Sequence, residues 1–282
     1  MSHPMRYAGG VFHHHHEEMV GVEIDFDAFD PGRFPDELRK RARQTWYQRA
    51  QTEFRSTQIM TRFMTEVMGA GDPIDVYAVV VDLIEDEARH TALCAAMCRA
   101  LGGTPRFPDP IVPDDPREFL DAPMGERAMT TAISMVAISE ALSYGFMTDL
   151  RERCEEPTVE AVLAATVDDE EDHQELGWAY VGQSLKRFPA STRRAWCHLV
   201  KTVLGPHLVK SAQVLEDVPE KDHHLQAFPE PDLVELGLLS EQRQALLVYQ
   251  TVDEVVEPRL RSLELWPEEL DELLLASSEI AI

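Results

Sequence analysis

Residues 129–148 read MTTAISMVAISEALSYGFMT, and a single one of those twenty side chains, Glu140, carries a charge. A helix that is apolar nearly all the way round has no face to turn to water, so it belongs inside an assembly of helices. Six Ser/Thr residues and the central Glu140 argue against a membrane span. A carboxylate carried into an apolar interior costs several kcal/mol unless it is protonated, paired with a cation or bound to a metal. Whatever Glu140 meets there decides both the architecture and the chemistry.

Two other segments offer partners. Asp86-Glu87-Ala88-Arg89-His90 and Asp169-Glu170-Glu171-Asp172-His173 share the pattern D-E-x-x-H. On a helix, residues three apart lie one turn from each other on one face, so Glu87 with His90, and Glu170 with His173, can ligate one metal or bridge two. In a chain this acidic a lone E-x-x-H reads as a solvated charged face. A third, Glu220 to His223, falls in a Pro-bounded loop and is read as chance. Metal binding is the reading that accounts for Glu140 and both motifs together.

Chain breaks place these groups at one depth. Gly69-Ala70-Gly71-Asp72-Pro73 separates a helix expected over 36–68 from one over 74–101, and Cys154-Glu155-Glu156-Pro157 separates 125–153 from 158–187. Residue 155 lies midway between Glu140 and Glu170, and residue 70 midway between Glu53 and Glu87. Across two antiparallel hairpins, both carboxylate pairs then sit about 22–25 Å from their turns, at 1.5 Å rise per residue. Prolines at 105, 108, 110, 113, 116 and 123 leave an extended crossover between the hairpins. Two further helices are expected over 191–216, bent at Gly205-Pro206, and over 240–263, capped by Ser240, with a Pro-containing loop (219–231) between them. No strand alternation is present. The expectation is an all-α protein: an N-terminal arm (1–35), a ferritin-like four-helix bundle with one long crossover (36–187), and extra C-terminal helices (188–282).

The order lone Glu, D-E-x-x-H, lone Glu, D-E-x-x-H, with each lone Glu 34 or 30 residues ahead of its partner, resembles the ferritin-like di-iron carboxylate superfamily over about residues 36–187. The resemblance implies that Glu53, Glu87 and His90 hold one iron and Glu140, Glu170 and His173 the other, with Glu87 and Glu170 as bridges. Mixed carboxylate and imidazole ligation suits two irons or a manganese–iron pair, with O2 as co-substrate. The Asp ahead of each motif Glu is most similar to the D-E-x-x-H oxygenases: multicomponent monooxygenase hydroxylases, which carry D-E-x-R-H as residues 86–90 do, and arylamine N-oxygenases. The third His of some of the latter is Thr166 here. Ribonucleotide reductase small subunits place a radical Tyr where this chain has Cys94, and multicomponent monooxygenases a Cys. Cys94 is therefore read as lining a cavity, or as a small buried hydrophobe. Tyr144, one turn past Glu140, either points at the metals or packs the core. The resemblance also implies that Asp86 reaches His173 and Asp169 reaches His90, fixing each imidazole; the alternative is that both aspartates are solvated.

The implied activity is that of a non-haem di-iron oxygenase or oxidase, a cytoplasmic oxidoreductase that hydroxylates or N-oxygenates a small organic molecule. Inward positions Trp46, Thr57, Met60, Met64, Leu93, Met97, Val136, Ala137 and Met147 fill the core by default and would make apolar walls around any cavity. No flavin, nicotinamide or iron–sulfur fingerprint supplies electrons, and the CxxC iron domain of rubrerythrins is missing, so an external reductase or ferredoxin is expected. A homodimer is compatible with the pattern. The competing readings are a ferroxidase or iron-handling protein, and a non-enzymatic scaffold stabilised by its metal.

Composition sets the outer bounds. The chain has 282 residues, with 26 basic against 51 acidic side chains and a net charge of −25. That field repels nucleic acid and anionic membranes, and neither is an expected partner. Cys94, Cys98, Cys154 and Cys197 form no CxxC pair and fit a reduced compartment. The first twenty residues lack the apolar core of a secretion signal, and the run His13–His16 reads as part of a mobile polar arm with at most weak metal affinity.

Overall fold

A computed structural model describes residues 2–109, 114–216, 225 and 227–278, the side chains as far as 274. The regular secondary structure of these residues is helical and contains no strand; Pro4 and Arg106 make an isolated antiparallel bridge. The helices are α1 (Gly10–Val20), α2 (Asp36–Ala70), α3 (Ile74–Ala100), α4 (Arg117–Asp121), α5 (Met124–Thr131), α6 (Glu140–Arg153), α7 (Pro157–Ser184), α8 (Ala190–Glu216), α9 (Glu230–Val234), α10 (Glu241–Thr251), α11 (Glu257–Ser262) and α12 (Asp271–Ser278). Two π-helical stretches, Ala132–Ser139 and Val252–Val256, join α5 to α6 and α10 to α11. No described helix is long and apolar enough to cross a membrane.

The expected long helices are present, with ends within three residues. Four short ones are not anticipated by periodicity: α1 in the segment read as an arm, α4 in the crossover, α9 near the second Pro-containing loop, and α12. In α4 the prolines help rather than hinder, because Pro116 stands just ahead of the first turn, where a missing N–H costs nothing. α8 runs through Pro206 without a break.

The chain divides into two compact units. The first comprises Met1–Ala122, Arg153–Thr166 and Pro231–Leu238. In it α2 and α3 lie along each other, joined by a turn that Gly71 makes possible: its φ of +73° is left-handed, and Gly71 N and Asp72 N donate to Met68 O and Val67 O at 3.1 Å each. Leu38, Ala42, Trp46 and Ala50 bury one stripe of α2. The Trp46 indole donates to Leu236 O at 2.9 Å. A Cβ on Gly237 would stand 2.7 Å from that ring, so only glycine fits there. Residues 3–7 run beside 105–107, with Met5 N donating to Pro105 O and Phe107 N to His3 O, both at 2.9 Å.

The second unit comprises Pro123–Glu152, Val167–Glu230 and Leu239–Ile282. Its central helix, α5 through the π stretch into α6, buries Met129, Ala132, Ile133, Val136, Ala137, Ile138 and Ala141, as its composition requires. α8 packs against α10, where Tyr249 donates to Leu208 O at 3.0 Å, and Trp196 Nε1 donates to Thr130 Oγ1 at 3.1 Å. Ser240 caps α10, accepting from Arg243 N at 3.2 Å.

Candidate metal centre

Each unit carries one set of two glutamates and one histidine. In the first, α3 presents Glu87 and His90 one turn apart, 1% and 0% exposed, and α2 presents Glu53. Glu53 Oε2 lies 4.0 Å from His90 Nδ1. In the second, α7 presents Glu170 (2% exposed) and His173 (0%), whose facing atoms Oε2 and Nδ1 are 3.7 Å apart. Glu140, 6% exposed, opens α6 and brings a carboxylate oxygen within 4.8 Å of a His173 ring nitrogen.

These spacings test whether a metal fits. A hydrogen bond would draw nitrogen and oxygen to about 2.7–3.2 Å. With metal–ligand bonds of about 2.1 Å, two donors on one ion can be at most about 4.2 Å apart. The Glu53–His90 and Glu170–His173 gaps fall between those limits, so both suit donors that share an ion better than donors that share a proton. Mixed imidazole and carboxylate ligation suits divalent transition metals. Three of the four glutamates are almost fully buried, a position that carboxylates occupy only with strong compensation.

Local structure holds the ligands in place. Thr57 Oγ1 donates to Glu53 O at 3.0 Å and Thr91 Oγ1 to Glu87 O at 2.9 Å, each within its own helix. Asp86 is hydrogen-bonded to Arg89 one turn along α3 and Asp169 is half-buried, whereas Glu171 and Asp172 face solvent. Cys94 is buried and forms no disulfide. Tyr144 lines a cavity of about 290 Å³ with Gly145, Thr148, Gln174 and Thr251. Glu220 and His223 lie outside the described residues. The run His13–His16 joins no cluster of three ligand atoms among the described residues; His13 and His16 pack against Tyr7 instead, with ring centroids at 4.9 and 5.0 Å.

Two features escaped the sequence reading. Arg49, one turn before Glu53, stacks over the Trp46 ring at 4.7 Å and has a buried Nη1 without a hydrogen-bond partner. Burial pulls the pKa of its guanidinium down, and the neighbouring Cys94 and Glu53 push it back up. One more arginine on a helix that already has Arg39, Arg41, Arg43 and Arg55 gives no sequence signal. The second is the π-helical stretch immediately ahead of Glu140. Such bulges recur at functional sites, but a run apolar on every side has no periodicity to reveal one.

No family model matches this chain, and neither does any curated protein or solved structure.

Proposed function

We propose that the protein holds a pair of metal ions on its glutamate and histidine sets and uses them to oxidise a small organic molecule with O2. In this reading Glu53, Glu87 and His90 would hold one iron, and Glu140, Glu170 and His173 the other. α2, α3, the α5–α6 helix and α7 are then the four helices of a ferritin-like bundle. The observation that carries the reading is the doubled half-site: two glutamates and a histidine in each unit, with a carboxylate 4.0 or 3.7 Å from the imidazole.

A bound iron pair would supply two-electron chemistry on O2, with electrons delivered from an external reductase or ferredoxin. The protein's own groups do the rest. The four carboxylates would neutralise the ions and each imidazole would supply one nitrogen donor, leaving positions open for O2. Asp86 and Asp169 steady the imidazole N–H groups, which fixes tautomer and ring orientation. Buried Met60, Leu93 and Met97 in one unit, and Val136 and Ala137 in the other, give apolar walls that exclude water.

Metal analysis after anaerobic reconstitution tests the centre. About two irons per chain are expected for the native protein and about one or fewer for Glu140→Ala and His90→Ala. Full occupancy in either variant would overturn the ligand assignment. Oxygen uptake that depends on both a reductant and an added organic compound supports the oxygenase reading. Iron accumulating far beyond two per chain would replace it with iron storage.

A further inference from the structure

A second cavity, of about 260 Å³, lies entirely within the first unit. It is bounded by Phe54 and Thr57 of α2, by Ala88, Thr91, Ala92, Ala95 and Arg99 of α3, and by Met5–Tyr7 and Phe107. Its volume falls just below the usual range of ligand pockets, about 300–1,000 Å³, and suits only a small ligand. The walls are apolar. Ala88, Ala92 and Ala95 give α3 a smooth stripe, and Phe54 and Phe107 meet at 4.8 Å between ring centroids. The segment of residues 3–7 that lines it is held by backbone hydrogen bonds to residues 105–107.

Its charge is the anomaly. The chain carries 51 acidic side chains, yet none among the described residues lines this cavity, whereas Arg6 and Arg99 do. Arg99 donates one N–H to Met5 O at 3.1 Å and sits 5.3 Å from the Tyr7 ring centroid, and no carboxylate among the described residues lines the cavity beside it. A guanidinium has five N–H donors in a planar fork that matches a carboxylate. Here that fork stands at one end of an apolar slot whose described lining holds no acid.

We infer that this cavity binds a small organic acid with an unbranched apolar body, its carboxylate on Arg99 and its chain along the alanine stripe of α3. The stripe from Ala88 to Arg99 is turned about 100° from the Glu87–His90 stripe on the same helix. The acid therefore needs no metal to bind, and the site stands whether or not the metal reading does.

Octanoate and octan-1-ol, which share an apolar chain and differ in the head, are the probes. Isothermal titration of the full-length protein should give saturable octanoate binding, at least tenfold tighter than octan-1-ol. The affinity should be the same before and after treatment with a chelator. Arg99→Gln should remove the tenfold preference while leaving the weak octanol binding. Ala92→Phe, which fills the slot, should abolish both, and the melting temperature of each variant reports whether it is folded. Equal binding of acid and alcohol, no binding of either, or an unchanged preference in folded Arg99→Gln would each overturn the inference. Dependence of octanoate binding on the metal would do the same.

Discussion

At the level of single residues, what a side chain is worth depends on how far it departs from its surroundings. Cys154 shows this in its protonation. Burial, with the carboxylates of Glu235, Glu156 and Glu160 close by, pushes its thiol up to about 12. A thiol in the unfolded chain ionises near 8.5. Below that pH both states hold the proton and the group adds no pH dependence. Between about pH 8.5 and 12 the unfolded thiol loses its proton and the folded one keeps it, so stability falls as pH rises. Cys98 and Cys197 shift in the same direction. Urea unfolding at pH 8 and pH 10 should therefore show a loss of stability that Cys154→Val reduces. An identical loss in the variant would mean that the thiol ionises freely in the folded state.

The same contrast governs which candidate ligands can be read from sequence. Glu140 stands out because nothing else in residues 129–148 is charged, and its 6% exposure follows from that isolation. Glu53 sits on a helix crowded with charge, and only its distance from the turn singles it out; the structure sets it 4.0 Å from His90. Arg49 has neither isolation nor spacing to mark it. Its place beside Glu53 and Cys94 comes from the packing of α2 on α3.

At the level of elements, long helices declare themselves through caps and breaks, and irregular ones do not. Gly71 and Pro73 fix the α2–α3 turn locally, so their positions suffice to place it. The π stretch Ala132–Ser139 depends on what packs against it. A Cβ on Gly177 of α7 would lie 2.3 Å from Val136 O and 2.7 Å from Ala137 N, so α7 can approach this stretch only through a glycine. Gly177 is one turn beyond His173, and the contact sets the position of α7 against the helix that carries Glu140. Gly177→Ala should cost about 1–3 kcal/mol as overpacking and lower metal content with it. Gly182, further along α7, is the control. A Cβ there would meet only Leu263 Cδ2 at 3.7 Å, an ordinary contact. Gly182→Ala should be neutral or stabilising by up to about 1 kcal/mol through helix propensity. Thermal melting of the pair separates close backbone approach from propensity; equal effects would remove Gly177 from its positioning role.

At the level of the whole molecule, compactness follows contacts that a linear reading does not see. Breaks near residues 35 and 187 mark the start of α2 and the end of the helical turn after α7. The two units nevertheless draw together segments far apart in sequence: residues 153–166 and 231–238 join the first, and residues from 239 onward join 123–152. Pairs such as Arg62–Asp115, 2.6 Å apart, and Arg243–Asp149 cross long stretches of chain within one unit and leave no local pattern. Charge, in contrast, is a property of the total. With 26 cations against 51 carboxylates, pairing every cation still leaves 25 acidic groups in excess. Their mutual repulsion is released on unfolding, so it works against the compact state. Raising the salt from about 10 mM to about 150 mM shortens the screening length from about 30 Å to about 8 Å. That weakens long-range repulsion more than it weakens close, partly buried pairs. The melting temperature should therefore rise with NaCl over this range, measured with chelator present to keep adventitious cations from contributing. A fall would mean that short-range ion pairs, and not the excess negative charge, set the electrostatic part of the stability.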